Sequence, residues 1–249
     1  VTNREMLHIV RSQLAIELNC TPDDLNGEKD AFVFTTAKDI QGRRPFPRNK
    51  HHFEMLTMGK AIVVTASDEI LEIVKPQLFE KIREEAFSMP FVHGHAISYL
   101  PDLELSRQIT LYEEYAYLLL ERDEIRSLYQ YNGFDNAIHY DMNNTRPDVL
   151  AIAAKHNGQI IGVAGASDDC EKMWQIGIDV LPQYRNRGLA SYLVKRLTSE
   201  ILKRGIVPYY CTSPSNLSSQ RVAYRAGFFP AWLCSYKGNF DGYEVLPVN

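Results

Sequence analysis

Val180-Leu-Pro-Gln-Tyr-Arg-Asn-Arg-Gly-Leu-Ala190 is the stretch that decides how this chain folds. Ahead of it, Trp174-Gln-Ile-Gly-Ile-Asp-Val180 reads as an apolar strand. Behind it, Leu189, Leu193, Leu197 and Ile201 recur at the spacing of one helix face. Lys203 and Arg204 followed by Gly205 make the expected helix stop. A strand, a basic turn and a helix start together build an anion site. Backbone N–H groups without partners converge at a helix N-terminus, and the helix dipole adds positive potential there. Gly188 lets the backbone approach a phosphate with no side chain in the way, and Arg185 and Arg187 add full charges. The chemistry implied is binding of a diphosphate-bearing molecule.

The spacing excludes two common phosphate loops. There is no Gly-x-x-x-x-Gly-Lys-(Ser/Thr) and no Gly-x-Gly-x-x-Gly here. Arg185-x-x-Gly188-x-Ala190 instead resembles the (Gln/Arg)-x-x-Gly-x-(Gly/Ala) signature of the GNAT superfamily of acyl-CoA-dependent N-acyltransferases. Downstream, Ile206–Thr212 reads as a short buried strand, and the run from Ser215 to Phe228 resembles the Asn-started helix ending in Gly-Phe of that superfamily. Ser215 or Asn216 can cap its start and Gly227 can stop it. Upstream, Val149–Lys155 and Gln159–Gly165 read as two strands joined by His156-Asn-Gly158, an Asn-Gly hairpin. The blocks Asp169–Val180 and Ala226–Trp232 are similar to those of a bacterial GNAT subgroup. The resemblance covers about residues 111–249.

Composition agrees. The chain has 249 residues and a net charge of −4, with no global basic field to attract nucleic acid. No apolar run reaches the length of a membrane span and no secretory signal is visible. Cys20, Cys170, Cys211 and Cys234 are far apart and read as free thiols of a reducing, cytoplasmic compartment. His93-x-His95 puts two rings on one face of a strand, but no Cys or carboxylate stands at ligand spacing, so no metal is expected.

Periodicity places a first helix from Asn3 to Leu18, a strand at Ala31–Thr36 and a loop at Gly42–Arg48. Strands Phe53–Met58 and Ala61–Thr65 pair across Gly59-Lys60. Asp68–Phe87 is helical, with Pro76 kinking it or starting a second helix. Phe87–Pro101 shows no clear period. A junction near Leu103–Thr110 divides an N-terminal domain, 1–109, from a catalytic domain, 110–249. The second region runs as a strand at Tyr112–Leu120, a helix at Asp123–Tyr131, the hairpin of Leu150–Ala166, strand Lys172–Val180, the Leu189 helix, strand Val207–Thr212 and the Asn216 helix. Strands Phe229–Tyr236 and Tyr243–Val248 close the sheet around a turn at Lys237–Gly242. The fold class is α/β (α+β). The resemblance implies a GNAT fold, a mixed central sheet with flanking helices, preceded by a smaller α+β domain.

The resemblance also implies a reaction. Acetyl-CoA lies with its diphosphate on the amides of Arg185, Asn186, Arg187, Gly188, Leu189 and Ala190. Its pantetheine pairs with the backbone of Ile178, Asp179 and Val180, like an added strand, and Asn216 joins the CoA site. A primary amine of a small molecule attacks the thioester directly. That amine must be neutral, so a general base is expected; the candidates are Asp179, Asp168, Asp169 and Glu171, with an ion pair or turn cap as the structural alternative for Asp179 and turn, cap or solvated-loop roles as the default for the other three. Where many relatives carry a Tyr that protonates the leaving thiolate, this chain has Ala223. Tyr224, the next residue, is the nearest candidate acid, about 100° further round the helix. Two other readings stand beside an N-acetyltransferase: a catalytically silent acyl-CoA-binding or sensing protein, and an interaction module on a GNAT scaffold. The acceptor and the oligomeric state do not follow from the sequence.

Overall fold

The computed structural model describes residues 2–27, 31–43, 51–105, 114–141, 143–240 and 243–244. The chain forms two compact units that do not follow its order. The first comprises Val1–Met6 and Tyr99–Phe229, and the second Leu7–Ser98 and Pro230–Asn249.

In the second unit, α1 (Asn3–Leu18) contributes from Leu7 onward and buries Val10, Leu14 and Leu18. Strand β1 (Phe32–Thr36) pairs in parallel with β3 (Ile62–Ala66), and β2 (Phe53–Thr57) pairs antiparallel with β3. Helix α2 (Asp68–Leu78) and the short α3 (Arg83–Phe87) lay Ile70, Val74, Leu78 and Ala86 on Phe53, Met55, Ile62 and Val64. Pro76 sits inside the last turn of α2, and the break comes after Leu78 rather than at the proline. A proline there removes only one late hydrogen bond, so the helix runs two residues past it.

Two expectations fail in this part of the chain. Val92–Pro101, which has no readable period, is a ten-residue strand, β4. His93, Gly94 and His95 interrupt its alternation with polar and small residues. In the C-terminal segment, β10 runs from Phe228 to Phe240, so Lys237–Phe240 is strand, not turn. Lys-Gly-Asn carries turn composition, but pairing of Phe240 with Tyr243 of β11 (Tyr243–Glu244) extends the ladder through it. Leu233–Ser235 of β10 pair antiparallel with Met55–Thr57 of β2. The expected strand residues 245–248, loop residues 44–48 and junction residues 106–110 lie outside the described residues.

In the first unit, β5 (Ala116–Glu121), β6 (Asp148–His156), β7 (Gln159–Cys170) and β8 (Met173–Val180) form an antiparallel run in sequence order. Strand β9 (Val207–Thr212) adds to β8 in parallel. The connection between β8 and β9 is α4 (Leu189–Lys203), whose Leu189, Leu193, Leu197 and Ile201 are all buried. Helix α5 (Leu217–Arg225) follows β9. The expected helix at Asp123–Tyr131 is a run of 3-10 turns, Arg122–Leu128, and the strand expected from Tyr112 is described only from Ala116.

Alternation along the strands separates two faces of this sheet. Leu193 of α4 and Val180 lie where a side chain on Gly162 would point. On the opposite face Ile125, Leu128, Phe134, Ala137 and Ile138 pack on Ala151, Ala153 and Val163. No helix among the described residues is long and apolar enough to cross a membrane.

Candidate functional site

The central feature is a parting of two strands. Strand β8 pairs with β7 all the way to Val180, but with β9 only as far as Ile176↔Tyr210. Beyond that point the β9-facing backbone of Gly177–Val180 borders a cleft of about 540 Å³, within the size range of small-molecule sites.

The chain then turns at the cleft's end. Pro182–Tyr184 forms a single 3-10 turn, Asn186 takes φ 61° and Gly188 φ 84°, and α4 begins. Both angles are left-handed, which glycine adopts freely and Asn tolerates. The first hydrogen bond of α4 runs from Tyr192 N–H to Gly188 O at 3.1 Å. The N–H groups of Leu189, Ala190 and Ser191 precede it and have no acceptor inside the helix. Arg185 Nε donates to Val180 O at 2.8 Å, which clamps the loop onto the strand end. Asn216 caps α5, its side chain accepting from Ser219 N–H at 3.1 Å. Of the two caps the sequence allows, Asn216 is the one used.

Ile178, Asp179, Val180, Arg185, Asn186, Gly188, Leu189, Ala190 and Asn216 all line this one cleft. Arg187 does not; its guanidinium lies 5.8 Å from the centre of the Tyr184 ring. Tyr224 does not either. It is 53% exposed and packs edge-on against Tyr99, with ring centroids 5.7 Å apart. Ala223 is wholly buried.

Asp179 is engaged by the opposite face. Its carboxylate accepts from Asn136 N–H at 2.7 Å, Asn136 Nδ2 at 2.8 Å and Ala137 N–H at 3.2 Å. The segment carrying Asn136 rests on a bare patch of sheet. Gly165 and Gly177 are paired across β7 and β8. A Cβ on Gly165 would stand 1.9 Å from Ala137 O, and one on Gly177 1.7 Å from Asn136 O. Two adjacent glycines thus make room for a backbone, and Asp179 ties that backbone down. This use of Asn136 is not readable from either residue alone; the signal in the sequence is the pair of glycines at matching positions of neighbouring strands.

Tyr209 and Tyr210 alternate along β9, and Tyr210 is the one that lines the cleft; Ser219, Arg221 and Arg225, which escape sequence reasoning, line it as well. Tyr210 shares a 2.7 Å hydrogen bond with Ser219 Oγ, and burial pushes its phenol up from the ordinary tyrosine range. Gln175 also lines the cleft, 3.0 Å from Tyr209 OH, whose one proton goes to the buried Asp169 carboxylate. Asp169 is held further by Ser167 Oγ at 2.9 Å and Arg146 at 3.6 Å. Beside it, Asp148 accepts from His139 N–H at 2.9 Å and pairs with His139 Nδ1 at 2.7 Å. That hydrogen bond, against the opposing effect of burial, raises the His139 imidazole above its ordinary value.

The second unit carries a wider groove of about 1280 Å³ along α2, lined among others by Phe34, Leu71, Lys75, Phe79 and Glu80. It is broad and open, with mixed charges and the Asp68 carboxylate at the start of α2, so the strand cleft is the better candidate. Among the described residues no three His, Cys, Asp or Glu side chains gather as metal ligands, and none of the four cysteines forms a disulfide.

Residues 109–228 match the family model described as Acetyltransferase (GNAT) family. No curated protein matches the chain. Among solved structures, it is similar to a GNAT-family acetyltransferase from Novosphingobium aromaticivorans, at 16% identity and a TM-score of 0.43, covering 59% of this chain and 65% of that one. It is similar as well to a GCN5-related N-acetyltransferase-like protein from Streptococcus suis, at 17% identity and a TM-score of 0.46, covering 73% and 72%. A GCN5-related N-acetyltransferase from Kribbella flavida aligns at 12% identity and a TM-score of 0.45, covering 63% of each chain. The chain thus spans just under two thirds of the first and third of these structures.

Proposed function

We propose, from the premise that residues 109–228 belong to the GNAT family of acetyltransferases, that this protein moves an acetyl group from acetyl-CoA to a primary amine of a small molecule. One observation carries the reading: the free edge of Gly177–Val180 leads straight into the unpaired amides at the start of α4. The edge suits the amides of a pantetheine arm, bound as an extra strand. The helix start suits a diphosphate. Together they fit the two chemically distinct halves of one extended ligand.

The amine attacks the thioester directly in this reading. An N–H on the free edge of β8 polarises the carbonyl oxygen as charge develops on it. Asp179 already takes three donors, so we assign it to holding Asn136 and Ala137 against the far face of the sheet, and we give proton removal to water. Four cysteines that form no disulfide fit a reducing compartment such as the cytoplasm.

A second reading is an acyl-CoA-binding protein without turnover. It is favoured by Ala223, which stands where relatives carry an acidic Tyr, and by Tyr224 lying outside the cleft. Incubation of the full chain with acetyl-CoA and a panel of primary amines, following release of free thiol, separates the two. Amine-dependent thiol release supports the enzyme. CoA binding without thiol release from any amine leaves the binding protein, and no binding at all overturns both.

A further inference from the structure

We infer that Tyr210, supplied by strand β9, is the proton donor to the departing thiolate of this chain, with Ser219 of α5 orienting its hydroxyl. The inference rests on the acyl-CoA reading of the cleft and adds to it a residue that does the work missing at Ala223.

Position comes first. Ile176↔Tyr210 is the last paired position before β8 and β9 part, so Tyr210 stands in the crotch of the opening. A pantetheine arm entering along the free edge of Gly177–Val180 brings its sulfur end toward that crotch. Tyr210 and Ser219 both line the cleft there, and Cys211 and Thr212 continue the same wall.

The local packing explains why strand and helix have exchanged roles. Ser219 and Ala223 are one turn apart on α5 and so share a face. Ala223 is wholly buried, and Tyr210 is 2% exposed with its hydroxyl on Ser219. A small residue on the helix leaves room for a large one on the strand beneath it. Tyr224, one position on, lies half-exposed against Tyr99 and lines no part of the cleft.

The hydroxyl pair also has the right valence. A serine hydroxyl is one donor and two acceptors, and a phenol likewise. With Ser219 Oγ–H donating to Tyr210 Oη, the phenolic proton is free to point into the cleft. Burial keeps that phenol protonated at neutral pH, while the Ser219 hydrogen bond favours the anion once the proton has left. In the step itself the amine nitrogen forms a bond to the carbonyl carbon and the carbon–sulfur bond breaks. Its electron pair goes to sulfur, which takes the Tyr210 proton. The nitrogen gives its extra proton to water, from which the phenolate is reprotonated.

The test uses the full chain and CoA itself, so it needs no knowledge of the acceptor. The thiol of bound CoA is titrated by the absorbance of its thiolate. A donor aimed at sulfur favours the thiolate, so bound CoA titrates lower on the wild-type protein than on Tyr210→Phe, by about 1 to 2 pH units. Ser219→Ala moves it in the same direction by less, and Tyr224→Phe leaves it unchanged. Tyr210→Phe keeps the packed ring, so CoA affinity below the thiol pKa and the unfolding temperature stay close to wild type. Equal titration on wild type and Tyr210→Phe overturns the assignment while leaving CoA binding intact. Absence of CoA binding to the wild-type protein overturns the cleft reading beneath it.

Discussion

The backbone N–H of Asn136 donates to the Asp179 carboxylate at 2.7 Å, across 43 positions of sequence. Asn136 Nδ2 and the Ala137 N–H join it. A strand residue beside the cleft therefore fixes a segment on the far face of the sheet. Asp179→Asn replaces one accepting oxygen by an amide that faces donors. The expected cost is about 1–3 kcal/mol of stability, read by urea unfolding. An unchanged unfolding midpoint together with lost turnover would instead assign Asp179 to chemistry alone.

The same segment sets a second expectation. Gly165→Ala and Gly177→Ala drive a Cβ into the carbonyl oxygens of Ala137 and Asn136, which are backbone atoms and cannot swing aside. Each is expected to cost at least the ~1–3 kcal/mol typical of overpacking. Gly162→Ala is the milder comparison, since its Cβ meets the side chains of Leu193 at 3.1 Å and Val180 at 3.2 Å, and its nearest backbone atom, the Asp179 carbonyl oxygen, stands at an ordinary contact distance of 3.4 Å. Equal melting temperatures for all three variants would show that Asn136 and Ala137 do not rest on the sheet.

These contacts mark the limit of what the sequence reveals. The α4 helix and its Gly205 stop, the Asn157-Gly158 hairpin and the α1 bounds all follow from local periodicity and turn chemistry, because each is decided by residues within a turn or two of one another. Strand β4 is hidden because His93, Gly94 and His95 break the alternation while the sheet still accepts them. The turn from β8 through Gly188 into α4 is legible as a strand, a glycine and a helix start in succession. The Asp179–Asn136 clamp, the Tyr210–Ser219 pair and the stripe of Arg221 and Arg225 were not, since each depends on which distant element packs where.

Two histidines give opposite pH dependences. His139 is raised by its hydrogen bond to Asp148, so its contribution to stability is full below the unfolded value of 6.5 and is lost as pH rises through the folded value. His52 is lowered to about 3 by burial and by the neighbouring Arg43, so its contribution is present above 6.5 and is lost as pH falls toward 3. Unfolding temperature measured against pH is expected to lose part of its alkaline decline in His139→Gln. Identical alkaline limbs in the two proteins would remove His139 from the explanation.

Arg221 and Arg225 line the cleft four residues apart, and no carboxylate pairs with either among the described residues. Lys203 and Arg204, by contrast, both reach Glu200. Replacing both cleft arginines by Gln is expected to weaken CoA binding by roughly 2- to 30-fold, the range for two exposed ion pairs, and to flatten its salt dependence. Calorimetry at two ionic strengths reads both, and unchanged affinity at low salt would place the ligand's charges elsewhere.

The most direct measurement is a titration of isotopically labelled protein with CoA, following the backbone amide resonances of Asn186 to Ser191 by NMR. Hydrogen bonds from these amides to a diphosphate predict saturable shifts concentrated there and along Gly177–Val180. Resonances of Asn186 to Ser191 that stay in place while CoA binds elsewhere, or do not move at any CoA concentration, would contradict it.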